Sequence, residues 1–280
     1  MLARMFPPEL LEESLLSLRE CRPYPAAEDR VAWEALPSSV REGAVAEAER
    51  FLGFGYPALP ATTFLEFSRN GNRTNYEALW AERRGALLAL TIGECVENSG
   101  RFIDDLSNGI WAICEESGWG FPAHMRLQSA GYTLPDVEEP TVDLFAAESA
   151  NYLAWLRYLL GERLDAVSPL LGRRIKREIE LRVLQPLEER EDFFWMGFEN
   201  VGDQSRVNNW NPWICSNWLS AVLLLVEEER RRRGAVEKIL RTLDNFLDPY
   251  PEDGGCDEGP FYWNLAGGML FDNLDLLSYA

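Results

Sequence analysis

The chain has 280 residues, of which 46% are hydrophobic and 26% are charged, and its formal net charge is −19 at pH 7. This length and composition can bury a large core, which is typical of a globular protein rather than a disordered one. Nucleic acid and anionic membrane surfaces recruit an excess of lysine and arginine, so the acidic balance excludes both as expected partners.

The sequence predicts a soluble protein of the cytoplasm. The opening "MLARMFPPELLEESLL" has prolines and acidic residues where a signal peptide would carry a long apolar stretch. The longest apolar run, "WLSAVLLLVEEE", is shorter than the ~20 residues needed to cross a bilayer. The five cysteines are scattered, without CxxC pairs or nearby histidines, which indicates reduced thiols. We expect no metal site and no cofactor.

Helix-period apolar patterns dominate the chain and predict an all-α fold. In chain order they cover residues 38–55, 75–96, 105–118, 142–161, 170–190, 210–234 and 235–248. Several of these segments contain a glycine near the expected helix end, where it can adopt the left-handed conformation: Gly55, Gly118, Gly161 and Gly234. Segments 142–160 and 213–226 are apolar around most of their circumference, which predicts inner helices surrounded by more polar ones.

The charged run "EEERRRR" at 227–233 has a structural explanation. Three glutamates each precede an arginine by four residues, which is the favourable order for ion pairs along a helix. We expect the arginines at the negative C-terminal end of a helix. The run is therefore interpreted as a solvated helix end rather than a nucleic-acid patch.

The segment "VNNWNPWICSNWL" at 207–219 places three tryptophans and four asparagines close together. A buried amide without a partner costs about 1–3 kcal/mol, so we expect these amides to face a polar ligand. Indole rings pack on the C–H faces of sugars while amides bind the hydroxyls, which favours a carbohydrate site. Some of the tryptophans would equally suit the core. The amides are Asn208, Asn209, Asn211 and Asn217.

A second dense segment, "YPEDGGCDEGPFYWNLAGG" at 250–268, begins as a loop rich in glycine and proline. It carries Asp253, Asp257, Glu258, Tyr262 and Trp263 towards a terminal helix. The acids lack the regular ligand spacing of an EF-hand. Loops that mix acids, aromatics and glycines are more often sites than structural turns.

The third segment, "ICEESGWGFPAH" at 113–124, ends in the only histidine of the chain. His124 follows Trp119 in a proline-containing loop, where it could be incidental, a capping group or a functional residue. Glu115 and Glu116 are adjacent, and on a helix their side chains would point about 100° apart. At most one of them can therefore face a given pocket.

These three segments, together with "DLFAAESANYLAW", resemble the heparinase II/III-like family, whose members are relatives of alginate and heparin lyases. The likeness covers most of residues 40–280. It implies an incomplete (α/α) toroid of antiparallel helix pairs, followed by a C-terminal β-sandwich domain, with the substrate groove between them. We expect residues 1–280 to form a single toroid domain and a C-terminal β-rich domain of the same protein to be its partner.

The resemblance also implies roles for particular residues in the β-elimination of acidic oligosaccharides, a reaction that needs no cofactor. Asn208 or Asn209 would neutralise the carboxylate of a uronate, and Tyr262 would transfer protons. Many members have a histidine next to the asparagine, where this chain has Trp210, and His124 is the candidate replacement. Substrate contacts are expected from Trp119, Trp210, Trp213, Glu116, Glu258, Trp263 and Arg206.

Two alternatives remain open at the level of sequence. One is a glycoside hydrolase on a similar toroid, with two carboxylates drawn from Glu115, Glu116, Asp253, Asp257 and Glu258. The other is a carbohydrate-binding domain without catalysis. In each case we expect the loops around residues 119–124, 208–213 and 258–263 to meet at one end of the ring.

Overall fold

The computed structural model describes residues 1–199, 207–256 and 258–280. All regular structure in these residues is helical, and no strand forms among them, which confirms the all-α prediction. The α-helices are α1 (Leu2–Met5), α2 (Pro8–Ser14), α3 (Arg30–Glu34), α4 (Ser38–Glu49), α5 (Ala61–Phe64), α6 (Glu66–Asn70), α7 (Thr74–Glu97), α8 (Ile103–Cys114), α9 (Leu144–Val167), α10 (Pro169–Ile179), α11 (Gln185–Glu189), α12 (Trp210–Leu225), α13 (Glu229–Leu247), α14 (Pro260–Trp263) and α15 (Met269–Ser278). Short 3-10 helices span Pro122–Leu127 and Phe194–Met196, and π-helical turns span Glu180–Leu184 and Asn264–Gly268.

The chain forms two compact units. Unit 1 comprises Met1–Pro23, Thr141–Asn151 and Leu181–Ala280, and unit 2 comprises Tyr24–Pro140 and Tyr152–Glu180. The boundary falls inside the long helix α9, so this helix contributes its first part to unit 1 and its remainder to unit 2.

Unit 1 is built around α12. Every residue from Ile214 to Leu225 is buried, as the apolar circumference of this segment predicted. Helices α13 and α15 pack against α12, and α13 in turn supports α1 and α2 at the N-terminus. The segment 207–209 leads directly into this buried helix.

Unit 2 is built around α7, which packs against α4 and α8, while α8 also packs against α10. The approach of α4 to α7 depends on Gly93. A Cβ atom at this position would lie 2.3 Å from the Cβ of Ala48, closer than two carbon atoms can approach. The missing side chain thus allows the two helices to touch.

The predicted continuous segment 210–234 is wrong, because the chain breaks between Leu225 and Glu229. Glu228 caps the new helix α13, and its carboxylate accepts hydrogen bonds from the backbone N–H groups of Arg230 and Arg231 at 2.9 and 2.6 Å. The arginines therefore lie at the N-terminal start of α13, and the expected position at a C-terminal helix end is wrong. A side chain that accepts from the first-turn N–H groups is a strong helix start signal.

Arg232 explains part of this break. Its side chain is buried, and its Nη1 donates hydrogen bonds to the carbonyl oxygens of Val222 and Leu223 at 3.1 and 2.7 Å. Both carbonyls belong to the last turn of α12. The Val222 carbonyl also accepts from the backbone N–H of Val226, whereas the carbonyls nearest a helix end generally need partners from outside the helix. One arginine of the charged run thus folds back on the preceding helix.

The expected glycine helix ends are wrong at all four positions, because none of these glycines adopts a left-handed φ. Gly55 and Gly118 lie beyond the ends of α4 and α8, which are Glu49 and Cys114. Gly161 lies inside α9 and Gly234 lies inside α13. A glycine inside a helix costs about 1 kcal/mol relative to alanine, and the packing of a long helix overrides a cost of that size. The left-handed end of α7 is instead formed by Asn98, with φ of 59°.

Candidate functional site

Asn209 stands at the N-cap position of α12, but its side chain makes no capping hydrogen bond. Only 3% of the residue is exposed, and its Nδ2 has no acceptor among the described residues. A buried N–H group without an acceptor costs about 1–3 kcal/mol, and such groups in folded proteins usually find a ligand or water. The amide of Asn209 is thus a candidate ligand contact.

Asn208, Asn209 and Glu258 line the same pocket of unit 1. Its volume of about 20 Å³ holds a small group such as a water molecule or one end of a carboxylate, but not a sugar ring. The pocket brings together the asparagine–tryptophan segment and the glycine-rich loop, two of the three segments selected from the sequence. The other lining residues are Val207, Phe246, Pro249, Tyr250 and Cys256.

Most of these further lining residues could not be selected from the sequence. Phe246 and Pro249 come from the end of α13 and the residues that follow it, a stretch without polar motifs. Tyr250 does have a signal in the sequence, because it opens the glycine-rich segment. Cys256, inside that loop, is partly exposed, whereas the other four cysteines are buried.

Two of the other asparagines in the segment serve the core. Asn211 is fully buried, and its Nδ2 donates to the carbonyl oxygens of Trp195 and Thr242 at 2.9 and 2.8 Å. Asn217 donates to the carbonyl oxygen of Trp213 at 2.9 Å. The expectation that all four amides face a ligand is wrong for these two, because the NH2 group of each already donates to backbone carbonyls of the protein.

The tryptophans of the segment are likewise held by neighbouring side chains. The Trp210 ring packs against Phe194, with centroids 5.2 Å apart. The Trp213 indole donates to the Oε1 atom of Glu148 at 2.9 Å, and Trp218 is fully buried. Neither Trp210 nor Trp213 is among the residues that line the pocket next to Asn209.

Helix α14 exposes three consecutive aromatic side chains close in sequence to the pocket-lining Glu258. The exposed fractions are 79% for Phe261, 37% for Tyr262 and 54% for Trp263. The Trp263 indole donates to the carbonyl oxygen of Gly254 at 3.0 Å, which ties the glycine-rich loop to the helix. Tyr262 and Trp263 therefore lie on the surface of unit 1, outside the lining of the pocket.

The third segment belongs to unit 2. Trp119 is 2% exposed, and its indole donates to the carbonyl oxygen of Ile113 at 3.0 Å. His124 is buried in a 3-10 helix and stacks on Phe121, with ring centroids 6.1 Å apart. The proline-containing loop expected here continues only to Phe121, because residues 122–127 form the 3-10 helix. The side chains of Trp119, Phe121 and His124 pack inside the unit. An indole this buried offers no ring face to a sugar.

Glu116 is also in unit 2 and is buried between two arginines. Its Oε1 accepts from Arg83 and Arg84, and its Oε2 accepts from Arg84, each at 2.6 Å. The neighbouring Glu115 is exposed, and both glutamates line one pocket of unit 2. The expectation that at most one of them faces a given pocket is wrong, because α8 ends at Cys114 and the 100° offset along a helix does not apply beyond its end. Arg83 and Arg84 were not selected from the sequence, although paired arginines within the apolar pattern of "WAERRGALL" are a usable signal.

Arg206 and Asp257, both named as candidates, lie outside the described residues. Asn208, Asn209, Glu258, Tyr262 and Trp263 belong to unit 1, whereas Glu116, Trp119 and His124 belong to unit 2. The expected meeting of the three loops stays a prediction.

Within the described residues, no cluster of three or more His, Cys, Asp or Glu side chains is arranged to hold a metal ion. None of the helices in that part of the chain combines the length and apolar character that a membrane span requires. No family model matches the chain, and no curated protein matches it significantly. The relation to heparinase II/III-like proteins therefore remains a hypothesis based on the sequence motifs.

Proposed function

We propose that this chain is a lyase-like domain that binds uronate-containing oligosaccharides. The observation that carries the proposal is the buried Asn209 amide, whose Nδ2 has no acceptor in the described part of the chain. Asn209 lines a pocket together with Asn208 and Glu258. A carboxylate oxygen of an acidic sugar would supply the missing acceptor, while the sugar ring would remain outside the small pocket.

The chemistry of elimination explains why such a contact matters. The C5 proton of a uronate is weakly acidic until the charge of the neighbouring carboxylate is masked. Amide N–H groups bonded to that carboxylate stabilise the charge that develops when the proton leaves. Asn209, with Asn208 beside it, would perform this role, and the reaction would need no cofactor.

A proton carrier is the second requirement of the reaction. We assign it to Tyr262, because the phenol is accessible and follows Glu258 by four residues in the same glycine-rich segment. The phenol would remove the C5 proton or protonate the leaving oxygen. The family resemblance implies that a C-terminal β-rich domain would supply a further catalytic histidine and the second wall of the substrate groove.

The same proposal covers the helical architecture of the chain and its localisation in the cell. The buried helix α12 would be one of the inner helices of an incomplete (α/α) toroid, with α13 and α15 beside it. The substrate would be a short acidic oligosaccharide that has already entered the cytoplasm.

The test is an elimination assay on uronate oligosaccharides, with the chain joined to a C-terminal β-rich domain. Elimination creates a C4–C5 double bond conjugated to the carboxylate, which absorbs in the near ultraviolet. We expect Tyr262→Phe to abolish this product while binding is largely retained, because the phenol acts in the transition state. Tyr279→Phe is the matched control, since Tyr279 is 40% exposed in the same unit.

Asn209→Ala should weaken both binding and rate, because the carboxylate is masked before and during proton removal. Asn264→Ala, at an exposed position of unit 1, is the control for this change. New reducing ends without ultraviolet absorption would assign a glycoside hydrolase, which needs paired carboxylates such as Asp253 and Glu258. Binding without either product would assign a carbohydrate-binding domain.

A further inference from the structure

Unit 2 contains a larger pocket that the proposed reaction does not use. It has a volume of about 480 Å³ and lies between the segment that contains Phe64, the end of α8 and the segment 134–137. This volume is within the usual range of small-molecule sites, roughly 300–1,000 Å³. Apolar side chains form much of the wall, and the polar groups include Arg83, Glu115, Glu116 and Ser117.

Arg83 is the buried cation among the residues that line this pocket. The residue is 92% buried, with 8% of its surface exposed, and its position is fixed by three acceptors. Its Nε donates to the carbonyl oxygen of Pro57 at 2.8 Å. Its Nη1 donates to the carbonyl oxygen of Ala112 at 3.2 Å and to the Oε1 atom of Glu116 at 2.6 Å. The guanidinium is thus held in place before any ligand arrives.

The remaining nitrogen of this guanidinium, Nη2, has no acceptor among residues 1–199, 207–256 and 258–280. Glu116 does not fully compensate Arg83, because the same carboxylate accepts two further hydrogen bonds from Arg84. A buried guanidinium that shares its counter-ion and keeps unused N–H groups favours an anionic oxygen as a further acceptor.

We propose that this pocket binds a small organic monocarboxylate. The carboxylate would accept hydrogen bonds from Nη2 of Arg83, and the apolar body of the ligand would pack beside Phe64 and Tyr76. Glu115 is exposed at the pocket and carries a negative charge, which repels a dianion more strongly than a monoanion. The proposal concerns unit 2 alone and does not depend on the lyase assignment.

The experiment uses fluorine NMR with 4-fluorobenzoate and its neutral analogue 4-fluorobenzamide as probes of the intact chain. We expect the benzoate to bind at least about tenfold more tightly than the amide, because a hydrogen bond to a charged group is the stronger kind. Arg83→Gln should weaken benzoate binding at least about tenfold. Arg101→Gln, at a partly exposed arginine of the same unit, should leave it unchanged.

Two further variants keep the test decisive if Arg83→Gln does not fold. Ser117→Trp places a large side chain at an exposed position of the pocket and should abolish benzoate binding without touching the buried ion pair. Glu115→Gln should tighten it by about twofold or more at low salt, since it removes a repulsive charge. Three results would each overturn the proposal. The first is that the chain binds 4-fluorobenzamide as tightly as 4-fluorobenzoate, and the second is that the Ser117→Trp variant binds the benzoate normally. The third is that an equal concentration of inorganic phosphate displaces the benzoate.

Discussion

Arg84 and Glu116 form a two-point ion pair in the interior of unit 2, with two N–O distances of 2.6 Å. Both side chains are only 3% exposed. The Arg84 guanidinium also lies over the ring of Trp80, 4.6 Å from its centroid. The pair therefore joins the middle of α7 to the segment that follows α8.

Glu116→Gln should lower the free energy of unfolding by about 3–5 kcal/mol, because two buried guanidinium groups would lose their shared carboxylate. Urea denaturation followed by circular dichroism measures the change. Glu115→Gln, at the exposed neighbouring position, should change stability by less than about 0.5 kcal/mol. Equal effects of the two substitutions would contradict the assignment of Glu116 as the buried partner.

A pair of alanine substitutions in α7 tests the contact between α4 and α7. Gly93→Ala should destabilise the protein by about 1–3 kcal/mol, because the new methyl group would overlap Ala48. Gly85→Ala, in the same helix, meets no atom within 4 Å and should stabilise by up to about 1 kcal/mol. Thermal unfolding of both variants should move in opposite directions, and a stable Gly93→Ala variant would rule out this close contact.

The asparagines of the 207–219 segment should separate into a structural and a functional group. Asn211→Ala should cost about 1–3 kcal/mol of stability, because the carbonyls of Trp195 and Thr242 lose their side-chain donor. Asn209→Ala should be neutral or stabilising, since it removes a buried donor that has no partner in the described structure. The midpoints of urea denaturation of the two variants measure these changes in stability. A large loss of stability for Asn209→Ala would identify that amide as structural.

Thiol reactivity offers a direct probe of the pocket next to Asn209. Four of the five cysteines are buried, and burial raises the pKa of the Cys95 thiol to about 12 and also raises that of Cys215. A chromogenic thiol reagent at pH 8 should therefore modify one thiol per native chain, Cys256, and all five after denaturation.

An acidic sugar bound next to Asn209 should slow this modification, because Cys256 lines the same pocket. Peptide mapping of the modified chain identifies the labelled cysteine. A neutral sugar of the same size serves as the control and should leave the modification rate unchanged. Rapid modification of Cys95 or Cys215 in the native chain would show that the core around them opens readily.

The sequence by itself determined the helical class and the main buried helix. The 3.6-residue period of apolar positions is a local property, and a segment apolar on all sides such as 213–226 can only be buried. Its end was less well determined. Glu228 and Arg232 break the expected long helix, and the break depends on which carbonyls and N–H groups these side chains reach in the folded chain.

The candidate site was determined in part by sequence as well. The density of amides, acids and aromatics pointed to two segments that line one pocket through Asn208, Asn209 and Glu258, and a ligand at this pocket stays a prediction. The sequence could not distinguish Asn209 from Asn211, because they are the same residue type, two positions apart in one motif. The tertiary structure supplies backbone carbonyls from distant residues to Asn211, whereas none of the described residues supplies one to the Nδ2 atom of Asn209. Hydrogen-bond partners are set by packing rather than by neighbours in sequence.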